Sequence, residues 1–260
     1  MAGAGAEGNA ACRFAEVSTG KVRAVTDGRS FVLDDGREIR LAGIEVPFLS
    51  ASSETGPRAD AGRRARAALE NMVAGRDVEL RQIGAADRYG RTMAQAYVRD
   101  EESGPPRSVV NHMLATGFAR VSAQVGDKAG DRRCADELLG QEQLARESKL
   151  GLWREPYYAI LGAESFAELS AERGHFTVVE GKVLSVRESG GTIYMNFGRR
   201  WSQALTVTIL KRNERMFTAA GLEPRTLENR RVRVRGWLEE RNGPRIDVAR
   251  PEQIEITERS

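Results

Sequence analysis

Cysteine and histidine are nearly absent from this chain, with two of each in 260 residues. Cys12 and Cys134 stand far apart, and neither belongs to a CxxC pair. A zinc site built on thiolates is therefore not expected. His112 and His175 have no partner at metal-ligand spacing. His112 falls on a helical stretch among apolar residues, a structural position, and His175 falls in a connecting stretch. No apolar run approaches the ~20 residues that a membrane-spanning helix needs, so no membrane partner is expected. Net charge of one sign is also small, at +3. It is unevenly placed. From His175 onward there are 16 Lys/Arg against 11 Asp/Glu, and before it 24 against 26. The basic excess of the C-terminal part points to a polyanionic partner or to a solvated charged surface.

The N-terminal stretch, Met1 to Ala11, has neither a positive n-region nor an apolar core. It is not a signal peptide as it stands, although it fits what is left once one has been removed. A disulfide between Cys12 and Cys134 would tie this arm to a late helix and imply a periplasmic or secreted protein. Two unrelated buried thiols would fit a cytoplasmic one.

The length suits one large or two small domains, and 40% hydrophobic with 30% charged residues fits a globular chain. KVRAVT, FVLDD and EIRLAGI are short β-type runs separated by Asp27-Gly28 and Asp35-Gly36, both hairpin dipeptides. A Ser/Thr/Gly-rich loop, Pro47 to Pro57, leads to a helix over about Arg58 to Ala74, where Ala61, Ala65, Ala68, Leu69 and Met72 recur at helical spacing. DVELRQI and TMAQAYV are strands on either side of DRYGR. Ser108 is placed to cap a short helix, Val109 to Thr116, ended by Gly117. A longer helix over about Lys128 to Leu150 puts Leu138, Leu139, Leu144 and Ala145 on its apolar face.

Two segments carry chemistry: GREIRLAGIEVP, Gly36 to Pro47, and DRYGR, Asp87 to Arg91. With the closing Gly151-Leu152-Trp153 they stand at the relative positions of the staphylococcal nuclease-like (thermonuclease) family, which the chain resembles over about residues 20–153. The resemblance implies a five-stranded OB-type barrel with three helices. It also implies a site in which two arginines clamp a phosphate, two aspartates and a backbone carbonyl bind calcium, and a glutamate acts on the water.

Carried over residue by residue, the clamp arginines are Arg40 and Arg91. Their guanidinium forks suit bidentate phosphate contact. The turn that carries a calcium aspartate in the family reads Asp27-Gly28-Arg29-Ser30, so a cation, Arg29, stands at the ligand position. Glu45 matches the second calcium carboxylate and is the only metal ligand to be expected, if any; the carbonyl of Val46 is available beside it. Phe48 stands where the family has its catalytic glutamate, and a phenyl ring can neither accept a proton nor orient a water. Arg29 is placed to pair with Glu45 and replace the metal by a salt bridge. Glu54 is the alternative base. No cofactor is expected, with Ca2+ the candidate if the site hydrolyses. Asp87, Tyr89 and Gly90 shape the DRYGR turn, and Tyr89 is also a candidate contact.

Glu155 to Arg173 reads as a linker with some helical content. Beyond it, TVVEGKVLSVRES, TIYMNFG and LTVTIL, then the amphipathic LKRNERMFTAAG with Met216 and Phe217 inward, then RRVRVRGWLEE and PRIDVA, follow the strand–helix order of a second OB barrel. Alternation along RRVRVRGWL puts Arg231, Arg233, Arg235 and Trp237 on one face. That face could track a phosphate backbone with Arg235 and stack a base on Trp237, or it is an arginine-coated outer face. Tyr194, Phe197 and Trp201, near Arg199 and Arg200, are alternative contacts. The expected architecture is α+β and barrel-dominated: an arm over 1–19, a thermonuclease-like domain over 20–154, a linker over 155–174 and an OB-like domain over 175–257. The leading reading is a degenerate nuclease that binds DNA or RNA through the arginine clamp with weak or no hydrolysis. The others are an active phosphodiesterase and a scaffold that binds a protein partner through its OB-like domain.

Overall fold

The computed structural model describes residues 16–48, 55–100, 104–122 and 132–257. Cys12, Glu54 and the expected start of the long helix at Lys128 lie outside them. The chain forms β1 (Glu16–Asp27), β2 (Ser30–Leu33), β3 (Glu38–Leu41), β4 (Ile44–Glu45), α1 (Pro57–Val73), β5 (Asp77–Gln82), β6 (Thr92–Val98), β7 (Arg107–Ser108), α2 (Val109–Ala115), β8 (Arg120–Val121) and α3 (Arg132–Glu147). The long β1 pairs with β5 through its first half and with β2 through its second. The sheet runs β3-β2-β1-β5-β6 and closes through a parallel β3–β6 pairing. This is the expected OB-type barrel, with α1 between its third and fourth strands.

Inward residues of these strands and the apolar faces of the helices share one core around Phe31, Leu33, Ile39, Leu69, Leu80 and Met113. Their alternation in the sequence is what the pleat requires. Ser108 caps α2 through its hydroxyl, which accepts from the Asn111 amide at 3.1 Å. Gly117 and Gly151 meet back to back with positive φ (74° and 50°), and a Cβ on Gly117 would lie 2.3 Å from the Leu150 carbonyl oxygen. The GLW motif closes the unit there, the Leu152 amide donating to the Gly117 carbonyl at 2.8 Å.

The second unit comprises β9 (Leu161–Gly162), α4 (Phe166–Ala171), β10 (Phe176–Lys182), β11 (Ser185–Ser189), β12 (Thr192–Asn196), β13 (Thr206–Leu210), α5 (Glu214–Ala219), β14 (Arg231–Glu240), β15 (Pro244–Val248) and β16 (Ile254–Ile256). β10 and β11 are the two halves of one bent strand. The order β11-β12-β13-β15-β14-β10, with β13–β15 parallel, repeats the arrangement of the first barrel in a curled, barrel-like sheet. Phe217 is fully buried in its core and Met216 packs against it, as the amphipathic pattern requires. The stretch read as a linker does more than connect. Leu161 and Gly162 pair in parallel with Val179 and Glu180, and Ala163 and Leu169 enter the second core. A two-residue strand is too short to leave a period in the sequence.

The face expected on α3 differs in one respect. Leu138 and Ala145 are buried, but Leu144 is 57% exposed, and the turn between them is filled by Glu142 at 1% exposure. The reason lies in the joint between the two barrels. Arg235, with no exposed surface, donates to Glu142 at 2.9 and 3.0 Å, to the Val121 carbonyl at 3.2 Å, and to Glu255. The Val121 amide returns a bond to Glu142 at 2.5 Å. Burial alone would depress the Arg235 guanidinium, but the facing Glu142 and Glu255 carboxylates outweigh it and raise its pKa. Arg235 therefore belongs to the joint and is unavailable to a ligand. Arg231 and Arg233 hold Glu180 on the neighbouring strand at 3.0 and 2.7 Å. The expectation of an arginine-lined contact face fails here. Alternation places these side chains on one side of β14, but Glu180 and the first barrel cover most of that side.

Candidate nucleic-acid site

Arg40 and Arg91, the arginines expected to form a clamp, line one cleft because of strand pairing. Arg40 lies on β3, opposite Met93 of β6, and Arg91 immediately precedes β6, whose first residue Thr92 faces Ile39. Arg29 enters from the turn before β2, where Ser30 pairs with Arg40. Gly28 is required at that turn, since a Cβ would come within 2.8 Å of the Ala65 Cβ on α1. The Leu41 amide donates to the Arg29 carbonyl at 2.7 Å. Gly43, at φ 83°, then turns the chain so that Glu45 comes back beside these cations.

Arg29 donates through Nη1 to Glu45 Oε2 at 2.5 Å and to the Ile44 carbonyl at 3.0 Å. Its own amide is held by Asp27 at 2.8 Å. Burial lifts the Glu45 carboxyl above its ordinary value, while Arg29, Arg40 and Arg120 pull it down. The Arg40 guanidinium is half-buried and depressed, first by burial and then by the charges of Arg29 and Arg91. It has no ion pair or hydrogen bond among the described residues. A partly desolvated cation cluster without enough counter-charge is the electrostatic signature of an anion site.

Arg91 is aimed by its turn. Asp87 accepts from the Arg91 Nε at 2.8 Å and amide at 3.1 Å, and from the Tyr89 amide at 2.8 Å. Gly90 takes the positive φ of 79° that the turn needs. Tyr89 is 65% exposed, with the Arg91 guanidinium 5.0 Å from its ring centroid, so it shapes the outer edge of the turn. Desolvation would raise the Asp87 pKa, but these hydrogen bonds win and hold it at about 2, below its ordinary 3.8. The folded value is the lower one, so the turn's contribution to stability is present above about pH 4 and is lost as pH falls through about 2. Asp87→Asn is expected to flatten the stability loss between about pH 4 and 2, read by urea unfolding. An unchanged slope would remove Asp87 as its source.

Among the described residues no group of three or more His, Cys, Asp or Glu is placed to hold a metal ion. The donor set fits calcium poorly: Glu45 is bound to the Arg29 guanidinium, Asp27 to the Arg29 amide and Glu172 to Arg58, against the six to eight oxygens such an ion takes. Phe48, 83% exposed, stands at the rim of the cleft.

That cleft has a volume of about 740 Å³ and runs from Arg29, Arg40 and Arg91 to Phe176 and Trp237 of the second barrel. Five arginines and three carboxylates line it. The short β4–β8 pairing couples the two walls. Glu45 faces Arg120, and Arg120 donates to the Phe176 carbonyl at 2.5 Å. On the far side Arg58 of α1 grips Glu172 at 2.7 and 2.8 Å. None of Arg58, Arg120, Glu172 and Phe176 was marked by sequence spacing, because each acts across the joint. Of the alternative contacts, Phe197 is buried in the second core, and Trp201 is exposed away from this cleft.

Residues 38–155 match the family described as staphylococcal nuclease homologue. Protein ParB of Escherichia coli is 36% identical over 145 residues, covering 53% of this chain and 73% of that protein. The chain belongs to the staphylococcal nuclease family. A probable endonuclease, lcl3, of Pyrenophora tritici-repentis is 34% identical over 120 residues, covering 45% of this chain and 41% of that protein. The matched family segment contains Arg40, Glu45 and Arg91 but neither Arg29 nor the second barrel. Cys134 is buried on α3 and is not a free thiol. The expected disulfide with Cys12 involves a residue outside the described ones. No helix among the described residues is long and apolar enough to cross a membrane.

Proposed function

We propose that this protein binds nucleic acid by gripping a backbone phosphate between Arg40 and Arg91, with little or no hydrolysis. The observation that carries the reading is the Arg29 guanidinium bound to Glu45 and to the Ile44 carbonyl. It takes up the oxygen donors that a calcium ion would need. The cation is then covalent to the chain, so binding needs no metal. Phe48 leaves no carboxylate at the position of the water-activating glutamate. Arg40 keeps its donors free for a phosphate.

An active phosphodiesterase is the second reading, favoured by the retained clamp and by the relative named as a probable endonuclease. One experiment separates the two. Labelled single-stranded DNA and RNA are incubated with the protein in calcium or in chelator, and both binding and cleavage are read. The expected result is equal binding in both, no cleavage above buffer, and an affinity that falls with salt at about 0.7 log units per log unit for each phosphate neutralised. Calcium-stimulated cleavage abolished by Arg40→Ala would establish the active nuclease instead. Salt-insensitive association would favour a protein partner.

A further inference from the structure

We propose that the second barrel adds a base-stacking subsite to this cleft, in which Trp237 takes one nucleobase of the strand whose phosphate lies on Arg40 and Arg91. The inference rests on the phosphate-binding reading and deepens it by naming what the second wall recognises.

Trp237 is 52% exposed, although its chain neighbours Gly236 and Leu238 are buried. Its backbone is fixed. It faces Phe176 across the β10–β14 ladder, and a Cβ on Gly236 would come within 2.6 Å of the Ile246 side chain. The indole meets the Phe176 ring edge-to-face, with centroids 6.3 Å apart and planes at 75°. Phe176 is itself 7% exposed and has the Arg120 guanidinium 5.3 Å from its ring centroid. The indole is thus propped from below by a buried ring and presented on a rigid strand.

The space around it is also suited. Trp237 lines the 740 Å³ cleft and a second one of about 340 Å³, and both reach Arg29 and Glu45. A flat aromatic surface therefore opens toward a cluster of cations. A free phosphate would use only the cations. A nucleotide has both an anion and a flat π-face, and base–aromatic stacking is tolerant of base identity. An acidic peptide would match the charge but would leave the indole without a planar partner.

The test compares two short single-stranded oligonucleotides of equal charge, one base-bearing and one with abasic sugars. Binding to the full chain, Trp237→Ala, Trp237→Phe and Arg40→Ala is read by anisotropy and by tryptophan emission. The parent is expected to prefer the base-bearing strand by about 5- to 150-fold. Trp237→Ala is expected to erase that preference while leaving abasic binding intact, and Trp237→Phe to keep part of it. Emission falls on binding the base-bearing strand in the parent. In Trp237→Phe the remaining Trp153 and Trp201 emission is expected to stay unquenched.

A Trp237→Ala variant that binds both strands as the parent does, or loses both equally, would overturn the stacking subsite and leave the phosphate clamp standing. A parent that shows no binding that Arg40→Ala removes would overturn the clamp and the subsite together.

Discussion

Glu142→Ala is expected to lower the melting temperature by on the order of 10 °C. Glu142 is 1% exposed and faces a fully buried Arg235 at 2.9 Å. Its other oxygen contacts reach the Val121 amide and, at 3.9 Å, Arg146. Breaking a buried pair by removing one partner costs about 3–5 kcal/mol, because the other charge stays buried without compensation. Here Arg235 keeps Glu255, so the lower half of that range applies. A variant that replaces both partners with apolar side chains, Glu142→Leu with Arg235→Met, should recover much of the loss. Calorimetry reads both. The pair joins the two barrels, so the parent is expected to melt in one transition and Glu142→Ala in a broader or split one. A shift under 2 °C would show that the joint contributes little.

Arg40→Ala is expected to weaken nucleic-acid binding by about 10- to 150-fold with the fold unchanged, since hydrogen bonds to charged groups contribute about 1.5–3 kcal/mol. Arg40 can be removed without structural cost because it holds no ion pair among the described residues. Its loss also relieves repulsion from Arg29 and Arg91. Arg40→Lys keeps the charge but not the fork and should fall between. Arg91→Ala is a less clean variant, because it also leaves Asp87 without its partner. Filter binding at fixed salt measures all three. An Arg40→Ala affinity equal to the parent's would refute the clamp.

Much of the first barrel was legible from short-range signals. Asp27-Gly28 and Asp35-Gly36 gave the turns, alternation gave the strands, and Ala65 with Leu69 gave the buried face of α1. Arg40 and Arg91 were singled out by the family resemblance of their motifs, and strand pairing brings both to one cleft. The salt bridge expected between Arg29 and Glu45 forms, and its physical basis was simply two opposite charges on converging turns. What escaped was whatever depends on the contact between barrels. Leu144 and Glu142 exchanged roles because the counter-charge for Glu142 lies on a strand in the other barrel. Arg235 was placed on the correct side of its strand, but alternation does not say what covers that side. The second wall of the cleft, Phe176 and Glu172 with Arg58 and Arg120, left no local pattern at all.

The joint also sets an order of events during synthesis. Arg235 follows Glu142 by 93 residues. At roughly 5–20 residues per second, α3 leaves the ribosome on the order of 5–20 s before its guanidinium partner is made. Throughout that interval Glu142 has the Val121 amide and, at 3.9 Å, Arg146 as partners within the N-terminal unit, but not the Arg235 fork. The cleft acquires its second wall, Phe176 and Trp237, only when the second barrel's strands are complete. A half-made chain therefore has the cation cluster of Arg29, Arg40 and Arg91 but not the aromatic wall that faces it.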